Sequence, residues 1–227
     1  MIYKPEEIYV CVVFHHSELR PRGLEMANQF IDSWIASNLG YKLIVLDNQS
    51  TIEYPRLREV EHIFVRIDNQ NNNGGVTGAW NDIIKLAVDK GAKVITGFAD
   101  DVKVNKSLQL LINNVQDHNT IYVPLTDGMI DVWPLQKSDN PKPNFVKEVE
   151  SFNGFWMAFS NEFFNRRHIN DSLFDLSRKE IGKWNTQENA LEIWKEKVPT
   201  KAVIIGDCWL HHTKLRSWRQ ARDRFNN

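Results

Sequence analysis

Short apolar runs alternate with amphipathic segments through the first half of the chain. The apolar runs are rich in β-branched residues, which is typical of strands buried on both faces of a sheet. Between them, apolar residues recur every three or four positions, as on one face of a helix. This alternation predicts right-handed crossovers and a mostly parallel sheet. The predicted strands are Ile8–Phe14, 42–46, 62–67 and 94–98, and the predicted helices are 24–39, 55–60 and a segment that follows Gly75 and ends at Lys90 and Gly91.

The stretch 73–102 contains the most informative pattern. Gly74 and Gly75 permit close approach of the backbone to a ligand, and the helix that follows offers unpaired N–H groups and the positive end of its dipole. A short apolar strand then leads to Asp100 and Asp101. Open α/β sheets bind ligands at the carboxyl ends of their strands, so this stretch predicts a site for a phosphate and a metal.

The second half of the chain is less regular. We predict one α/β domain over 1–227. The elements predicted in the second half are helices at 106–118, from near Asn161 and at 184–197, strands at 121–124, 151–159 and 202–205, and a long loop or hairpin at 126–149.

Composition restricts the possible partners. The 227 residues are 42% hydrophobic and 25% charged, and the net charge of −1 gives no general attraction to nucleic acid. Cys11 and Cys208 lie in apolar segments, which predicts buried free thiols. No apolar run reaches the ~20 residues of a membrane span, and the N-terminus lacks a signal-peptide pattern. We therefore expect a cytoplasmic protein without an integral membrane span.

Four stretches together resemble one enzyme family. They are V-L-D-N-Q-S-T at 45–51, N-G-G-V-T-G-A-W-N at 73–81, F-A-D-D-V at 98–102 and T-Q-E-N-A-L at 186–191. Their order is similar to that of the inverting, nucleotide-sugar-dependent glycosyltransferases of the GT-A (Rossmann-like) fold. The resemblance implies a hexosyltransferase-type enzyme that moves a sugar from a nucleotide-diphosphate donor, expected to be a UDP-sugar, to a hydroxyl of a glycan or other acceptor. It also implies a nucleotide-binding half at about 1–102 and an acceptor-binding half at about 103–227.

The resemblance also implies roles for individual residues. Asp101 would bind a divalent cation, Mn²⁺ or Mg²⁺, and His211 or His212 would replace the ligand lost where the family's first carboxylate is Ala99. Glu188 would be the catalytic base, since Gln187-Glu188 keeps one carboxylate of the family's acidic pair. The residues expected to contact the donor are Asp47, through the base, and Asn73, Gly74, Gly75, Asn81, Asp100 and Lys214.

The chemistry of the reaction calls for these residue types independently. Breaking the sugar–phosphate bond builds negative charge on the diphosphate, which a cation held by carboxylate oxygens offsets. Inversion needs one general base for the acceptor hydroxyl, for which Asp127 and Asp131 are weaker candidates than Glu188. Each acidic residue also has a structural explanation: Asp47 as a turn former, Glu188 as a first-turn carboxylate and Asp100-Asp101 as a solvated turn.

Other functions remain open at this stage. A metal-dependent hydrolase or phosphoesterase would use His15, His16, His211 and His212 as one metal cluster, although no HxH or H-E-x-x-H spacing supports it. A non-catalytic module that binds sugar nucleotides is compatible with the altered D-x-D motif. The glycine pattern is neither a dinucleotide fingerprint nor a P-loop. A nucleotidyltransferase is disfavoured because no glycine-rich loop follows the first strand.

Overall fold

The computed structural model describes residues 3–18, 20–67, 75–128, 133–178 and 190–213. Within these ranges the chain forms one nine-stranded sheet with helices packed against it. The strands are β1 (Ile8–Phe14), β2 (Lys42–Asn48), β3 (Ile63–Ile67), β4 (Val94–Ala99), β5 (Val102–Lys103), β6 (Thr120–Thr126), β7 (Val146–Val149), β8 (Trp156–Ser160) and β9 (Lys201–His212). The helices are α1 (Gly23–Ser37), α2 (Val76–Asp89), α3 (Leu108–Asn113), α4 (Asn161–Arg167) and α5 (Ala190–Lys195).

The strand order confirms the predicted α/β class with a mostly parallel sheet. Hydrogen-bonded neighbours follow the order β3-β2-β1-β4-β8-β6-β9-β5, and β7 pairs with β9. Strands β1 to β4, β6 and β9 run in one direction, whereas β5, β7 and β8 run in the other. The carboxyl ends of β1, β2 and β4 therefore lie side by side at one edge of the sheet.

Helices cover the sheet on both faces. On one face, the predicted stripe of α2 is buried, with Ala79, Ile83 and Ala87 packed against the sheet. On the other face, α1 contributes Phe30 and α3 contributes Leu111 to a second apolar cluster. All of β1 is buried, because it is a central strand with one helical layer above it and another below.

Several boundaries differ from the sequence prediction. Strand β9 runs to His212, although the prediction ended it at Ile205, before Gly206 and the charged Asp207. It continues because β6 follows it across a register shift between Pro124 and Leu125. Part of the loop predicted at 126–149 forms β7, which adds to β9. Helix α1 ends with Asn38 in the left-handed conformation rather than at Gly40, and both α3 and β8 are shorter than predicted.

Candidate functional site

The site is the edge of the sheet at which the parallel strands end. Phe14 of β1 lies beside Asp47 of β2, and Val13 lies beside Ala99 of β4. The side chains that follow these strands are therefore neighbours. Open α/β sheets bind their ligands at this edge, beyond the carboxyl ends of the strands. The long strand β9 reaches the same region from the other half of the sheet, because its last residues pair with β5.

Asp47 is buried, and its two oxygens differ in their contacts. Its Oδ1 accepts a hydrogen bond from the Ser50 backbone N–H at 3.0 Å, which is the turn-forming role considered from the sequence. Among the described residues its Oδ2 has no hydrogen-bond donor, and it lies 3.5 Å from Nε of Arg66. A buried carboxylate oxygen without a donor is costly, so it is suited to accept a hydrogen bond from a ligand.

Arg66 is a site residue that the sequence analysis did not single out. It lies on β3, its side chain is 42% exposed, and one of its terminal nitrogens donates to the Ser50 carbonyl at 2.6 Å. Asp47 and Arg66 therefore place an acceptor beside an exposed set of donors. The sequence feature that could have identified Arg66 is a charged residue inside an otherwise apolar strand, which follows the strand that carries Asp47 in the chain.

The histidine pair after β1 holds loops together. Nδ1 of His15 lies 2.7 Å from the Asn48 carbonyl, and Nδ1 of His16 lies 3.0 Å from Oγ1 of Thr51. The His16 carbonyl also accepts from the Thr51 N–H at 3.0 Å. Burial lowers the pKa of His15, since the imidazolium would lose its hydration. These contacts fasten the loop after β1 to the loop after β2.

Asp100 has a buried cationic partner. Both of its oxygens bind the guanidinium of Arg20, at 2.5 and 2.7 Å, and both side chains are almost completely buried. Burial raises the pKa of the Asp100 carboxyl, and the Arg20 charge opposes that rise. The sequence led us to expect Asp100 beside the donor, whereas its two oxygens are occupied by Arg20. Arg20 was not predicted, because nothing local in the sequence connects it to Asp100.

Asp101 and His212 come together as a pair. Val102 pairs with His212 between β5 and β9, and this register brings Oδ1 of Asp101 within 3.6 Å of Nε2 of His212. Both side chains are about one-fifth exposed, so a small ligand can reach them. The Asp101 backbone is held as well, since its carbonyl accepts from the Thr213 N–H at 2.7 Å and from Oγ1 of Thr213 at 2.9 Å.

This pair fits a divalent cation as a two-ligand site. An oxygen and a nitrogen 3.6 Å apart can contact one ion, and Mg²⁺-type sites combine one or two protein ligands with substrate phosphates and water. Within the part of the chain that the structure describes, the buried Nδ1 of His212 has no hydrogen-bond partner, so these residues do not hold the ring through that atom. Among the described residues, no group of three or more histidine, cysteine or acidic side chains could hold a metal. The remaining coordination would come from the substrate.

His211 and His212 point in different directions, as successive residues of a strand do. Nδ1 of His211 lies 2.6 Å from Oδ2 of Asp127, and Oδ1 of the same carboxylate accepts from the His212 N–H at 3.1 Å. The His212 ring instead packs edge-on against Phe155, with 5.4 Å between the ring centroids. Of the histidine doublet predicted to bind metal, the structure brings His212 to Asp101 and His211 to Asp127.

The hydrolase alternative required one metal cluster from both histidine pairs. In the described part of the chain, His15 and His16 bind the loop after β2, whereas His211 and His212 contact Asp127 and Asp101. Neither pair contributes to a cluster with the other. The geometry gives this alternative no support.

Gly75 and Asn81 belong to α2. Gly75 caps the helix with φ of +75°, a conformation that favours glycine. The Asn81 amide is buried and donates to the Phe174 carbonyl at 2.9 Å, while its oxygen accepts from the Phe174 N–H at 2.8 Å. We expected Asn81 to contact the donor, and the structure shows its amide engaged with the backbone of a distant segment.

We expect Asn81→Ala to lower the free energy of unfolding by about 2 kcal/mol, because it leaves the two Phe174 backbone groups without partners. Denaturant unfolding would measure this change, with the exposed Asp89→Ala on the same helix as the control. Nucleotide affinity should stay within twofold of that of the unsubstituted protein. A large loss of affinity at unchanged stability would instead place Asn81 in direct contact with the donor.

Other predicted site residues lie outside the described residues. They are Asn73, Gly74, Asp131, Glu188 and Lys214. Their expected roles therefore stay predictions.

Solved structures provide the comparison for this fold. The chain is similar to a mannosyltransferase from Pyrobaculum calidifontis in complex with GDP-Man and Mn²⁺, with a TM-score of 0.64 and 13% identity over 97% of this chain and 61% of that chain. It is also similar to S. aureus TarS 1–349 in complex with UDP, with a TM-score of 0.57 and 13% identity over 90% of this chain and 60% of the TarS chain. For glucosyl-3-phosphoglycerate synthase from Mycobacterium tuberculosis with Mn²⁺, UDP and phosphoglyceric acid, the TM-score is 0.55 at 13% identity over 91% and 70%.

At this identity the similarities show the fold. The chain has the GT-A fold, shared with nucleotide-diphospho-sugar glycosyltransferases. It spans 60% and 61% of the length of the TarS and mannosyltransferase chains. No protein-family model and no curated protein sequence matches it. Within the described ranges, none of the helices has both the length and the apolar character that crossing a membrane requires.

Proposed function

We propose that this protein is an inverting glycosyltransferase that moves a sugar from a nucleotide-diphosphate donor to an acceptor hydroxyl with the help of a divalent cation. The observation that carries the proposal is the Asp101–His212 pair, 3.6 Å apart at the carboxyl edge of a GT-A sheet. Two ligand atoms leave room for the phosphates of a donor. Structures with the same fold contain UDP, UDP-GlcNAc or GDP-Man, two of them together with Mn²⁺, which supports this assignment.

The donor would lie along the edge from β3 to β9. Asp47 and Arg66 would bind the base, and Asp101 and His212 would hold Mn²⁺ or Mg²⁺ against the diphosphate. Gly75 opens helix α2, whose N–H groups would stabilise phosphate charge. Asn73, Gly74 and Lys214 are proposed to complete this binding region, as expected from the sequence. This arrangement corresponds to the proposed nucleotide-binding half at about 1–102, extended by the end of β9.

The reaction would be a single displacement at the sugar carbon. When bound, the cation would offset the negative charge that develops on the departing diphosphate. Asp101 and His212 would orient the diphosphate, and Glu188 would accept the proton of the attacking hydroxyl. The half at about 103–227 would bind the acceptor, which we propose to be a glycan or another molecule with a hydroxyl. A cytoplasmic location stays a prediction from the sequence.

The Asp47–Arg66 pair predicts which nucleotide bases the protein prefers. Asp47 would accept from the ring N–H of uracil or guanine, and Arg66 would donate to the adjacent carbonyl, whereas the corresponding ring nitrogen of cytosine and adenine carries no hydrogen to donate. We expect UDP or GDP to bind at least about tenfold more tightly than CDP and ADP, because a mismatched edge leaves buried polar groups unpaired. Asp47→Asn should reduce this preference, since an amide offers both a donor and an acceptor.

Calorimetric titration of the four nucleoside diphosphates with Mn²⁺ would measure the preference. Asp32→Asn, an exposed aspartate that also pairs with an arginine, is the control for loss of a carboxylate. Equal affinity for all four diphosphates would contradict the proposed base contact. Failure to bind any of them, with and without cation, would contradict the proposed function itself.

A further inference from the structure

One guanidinium joins three elements at the site. The side chain of Arg20 is buried, and it contacts Asp100 after β4 through two nitrogens at 2.5 and 2.7 Å. One of these nitrogens also donates to the His15 carbonyl after β1 at 2.8 Å, and the other lies 3.4 Å from the sulfur of Met26 in α1. Arg20 therefore fixes the turn after β4 relative to the neighbouring strand and helix.

The same turn is fixed from its other side by Thr213. The Asp101 carbonyl accepts two hydrogen bonds from that residue, through its N–H and its hydroxyl. The Asp101 side chain thus projects from a turn that is held at the preceding side chain, Asp100, and at its own backbone carbonyl. It lies 3.6 Å from His212.

The ion pair also sets the charge of the site. Two adjacent carboxylates would repel one another and compete for the same cation if both faced the ligand. Because Arg20 neutralises Asp100 inside the protein, Asp101 presents the available carboxylate of the pair. A bidentate pair of this kind has a fixed orientation as well as a fixed charge.

We propose that Arg20 and Asp100 are a positioning pair that holds Asp101 in place for the cation, and that Asp100 is not itself a cation or donor ligand. This inference rests on the proposed transferase function. It assigns separate tasks to the two neighbouring aspartates and gives a role to a residue of the loop after β1.

Mn²⁺ binding in the presence of UDP, followed by the electron paramagnetic resonance signal of free Mn²⁺, tests the inference without relying on activity. The variants are Arg20→Lys, which keeps both charges but loses the planar fork, and Arg20→Met with Asp100→Leu, which removes both buried charges. Each should weaken Mn²⁺ binding about tenfold, as loss of outer contacts to a metal ligand does. UDP affinity without cation should not change.

The control is Arg22→Met with Glu25→Leu, an exposed ion pair on the same segment, which should bind Mn²⁺ normally. Circular dichroism would verify folding, and Arg20→Lys provides the test if the apolar double variant does not fold. Normal Mn²⁺ binding in the Arg20→Lys and double variants, together with its loss in Asp101→Asn, would overturn the inference and leave the proposed function intact. The inference would also fail if Asp100→Asn lost binding as fully as Asp101→Asn while Arg20→Lys retained it. Absence of Mn²⁺ binding by the unsubstituted protein would overturn both.

Discussion

Asp101→Asn should reduce cation-dependent turnover of the donor by about 10³-fold, the largest effect on activity that we expect from one substitution. The carboxylate supplies one of the two protein ligands proposed for the cation, and an uncharged amide binds a hard cation much more weakly. Loss of one charge-stabilising group in a transition state costs about 10²- to 10³-fold or more. The fold should be retained, because the contacts with Thr213 use the Asp101 backbone. Release of the nucleoside diphosphate, measured at saturating donor, provides the rate.

Asp89→Asn is the matched control, because Asp89 is an exposed aspartate on α2 that pairs with Lys85. It should turn over the donor at the unsubstituted rate. A raised Mn²⁺ concentration should partly restore the Asp101 variant if binding of the cation is the defect. An Asp101→Asn variant with full activity would exclude this residue as a cation ligand.

Arg20→Met should lower the free energy of unfolding by about 3–5 kcal/mol, the largest loss of stability that we expect. The substitution leaves the Asp100 carboxylate buried without its cation, and breaking one side of a buried ion pair has a cost of this size. For a domain of this length, the melting temperature should fall by about 10 °C. Thermal unfolding followed by circular dichroism measures the change.

The double substitution Arg20→Met with Asp100→Leu should recover most of that stability, since it removes both buried charges. The corresponding exposed pair, Arg22 and Glu25, should show little change in either its single or its double variant, because exposed ion pairs contribute little. An Arg20→Met protein as stable as the unsubstituted one would show that Asp100 is not held as a buried anion.

The sequence predicted those parts of the fold that depend on local patterns. Strand β1 and the apolar face of α2 follow directly from runs of apolar residues and from helical spacing. The position of Asp101 at a carboxyl edge followed from the strand before it. The resemblance to the family named Asp101 and His212 as candidate metal ligands, and the register of β5 and β9 brings the two side chains within 3.6 Å of each other.

Other parts of the site depend on contacts between distant residues. The bond from Arg20 to Asp100 joins positions 80 apart in sequence, so no local pattern could suggest it. Arg66 contacts Asp47 only because β3 and β2 are neighbours in the sheet. Asn81 was placed with the donor because 73–81 resembles a family segment, whereas its amide completes the hydrogen bonding of Phe174. The prediction ended β9 too early because Gly206 and Asp207 interrupt its apolar pattern. The strand continues through them because it pairs with β5, β6 and β7.

The proposed function rests on activation of a nucleotide sugar by a cation bound at Asp101 and His212. Hydrolysis of UDP-, GDP-, ADP- and CDP-sugars without acceptor, in Mn²⁺, in Mg²⁺ and in chelator, tests it most directly. We expect slow release of one nucleoside diphosphate from a UDP- or GDP-sugar that depends on the cation and is lost in Asp101→Asn. Tight binding of the donor without turnover, even when acceptor hydroxyls are supplied, would favour a binding module. If no donor bound and no nucleoside diphosphate were released, the proposed function would be contradicted.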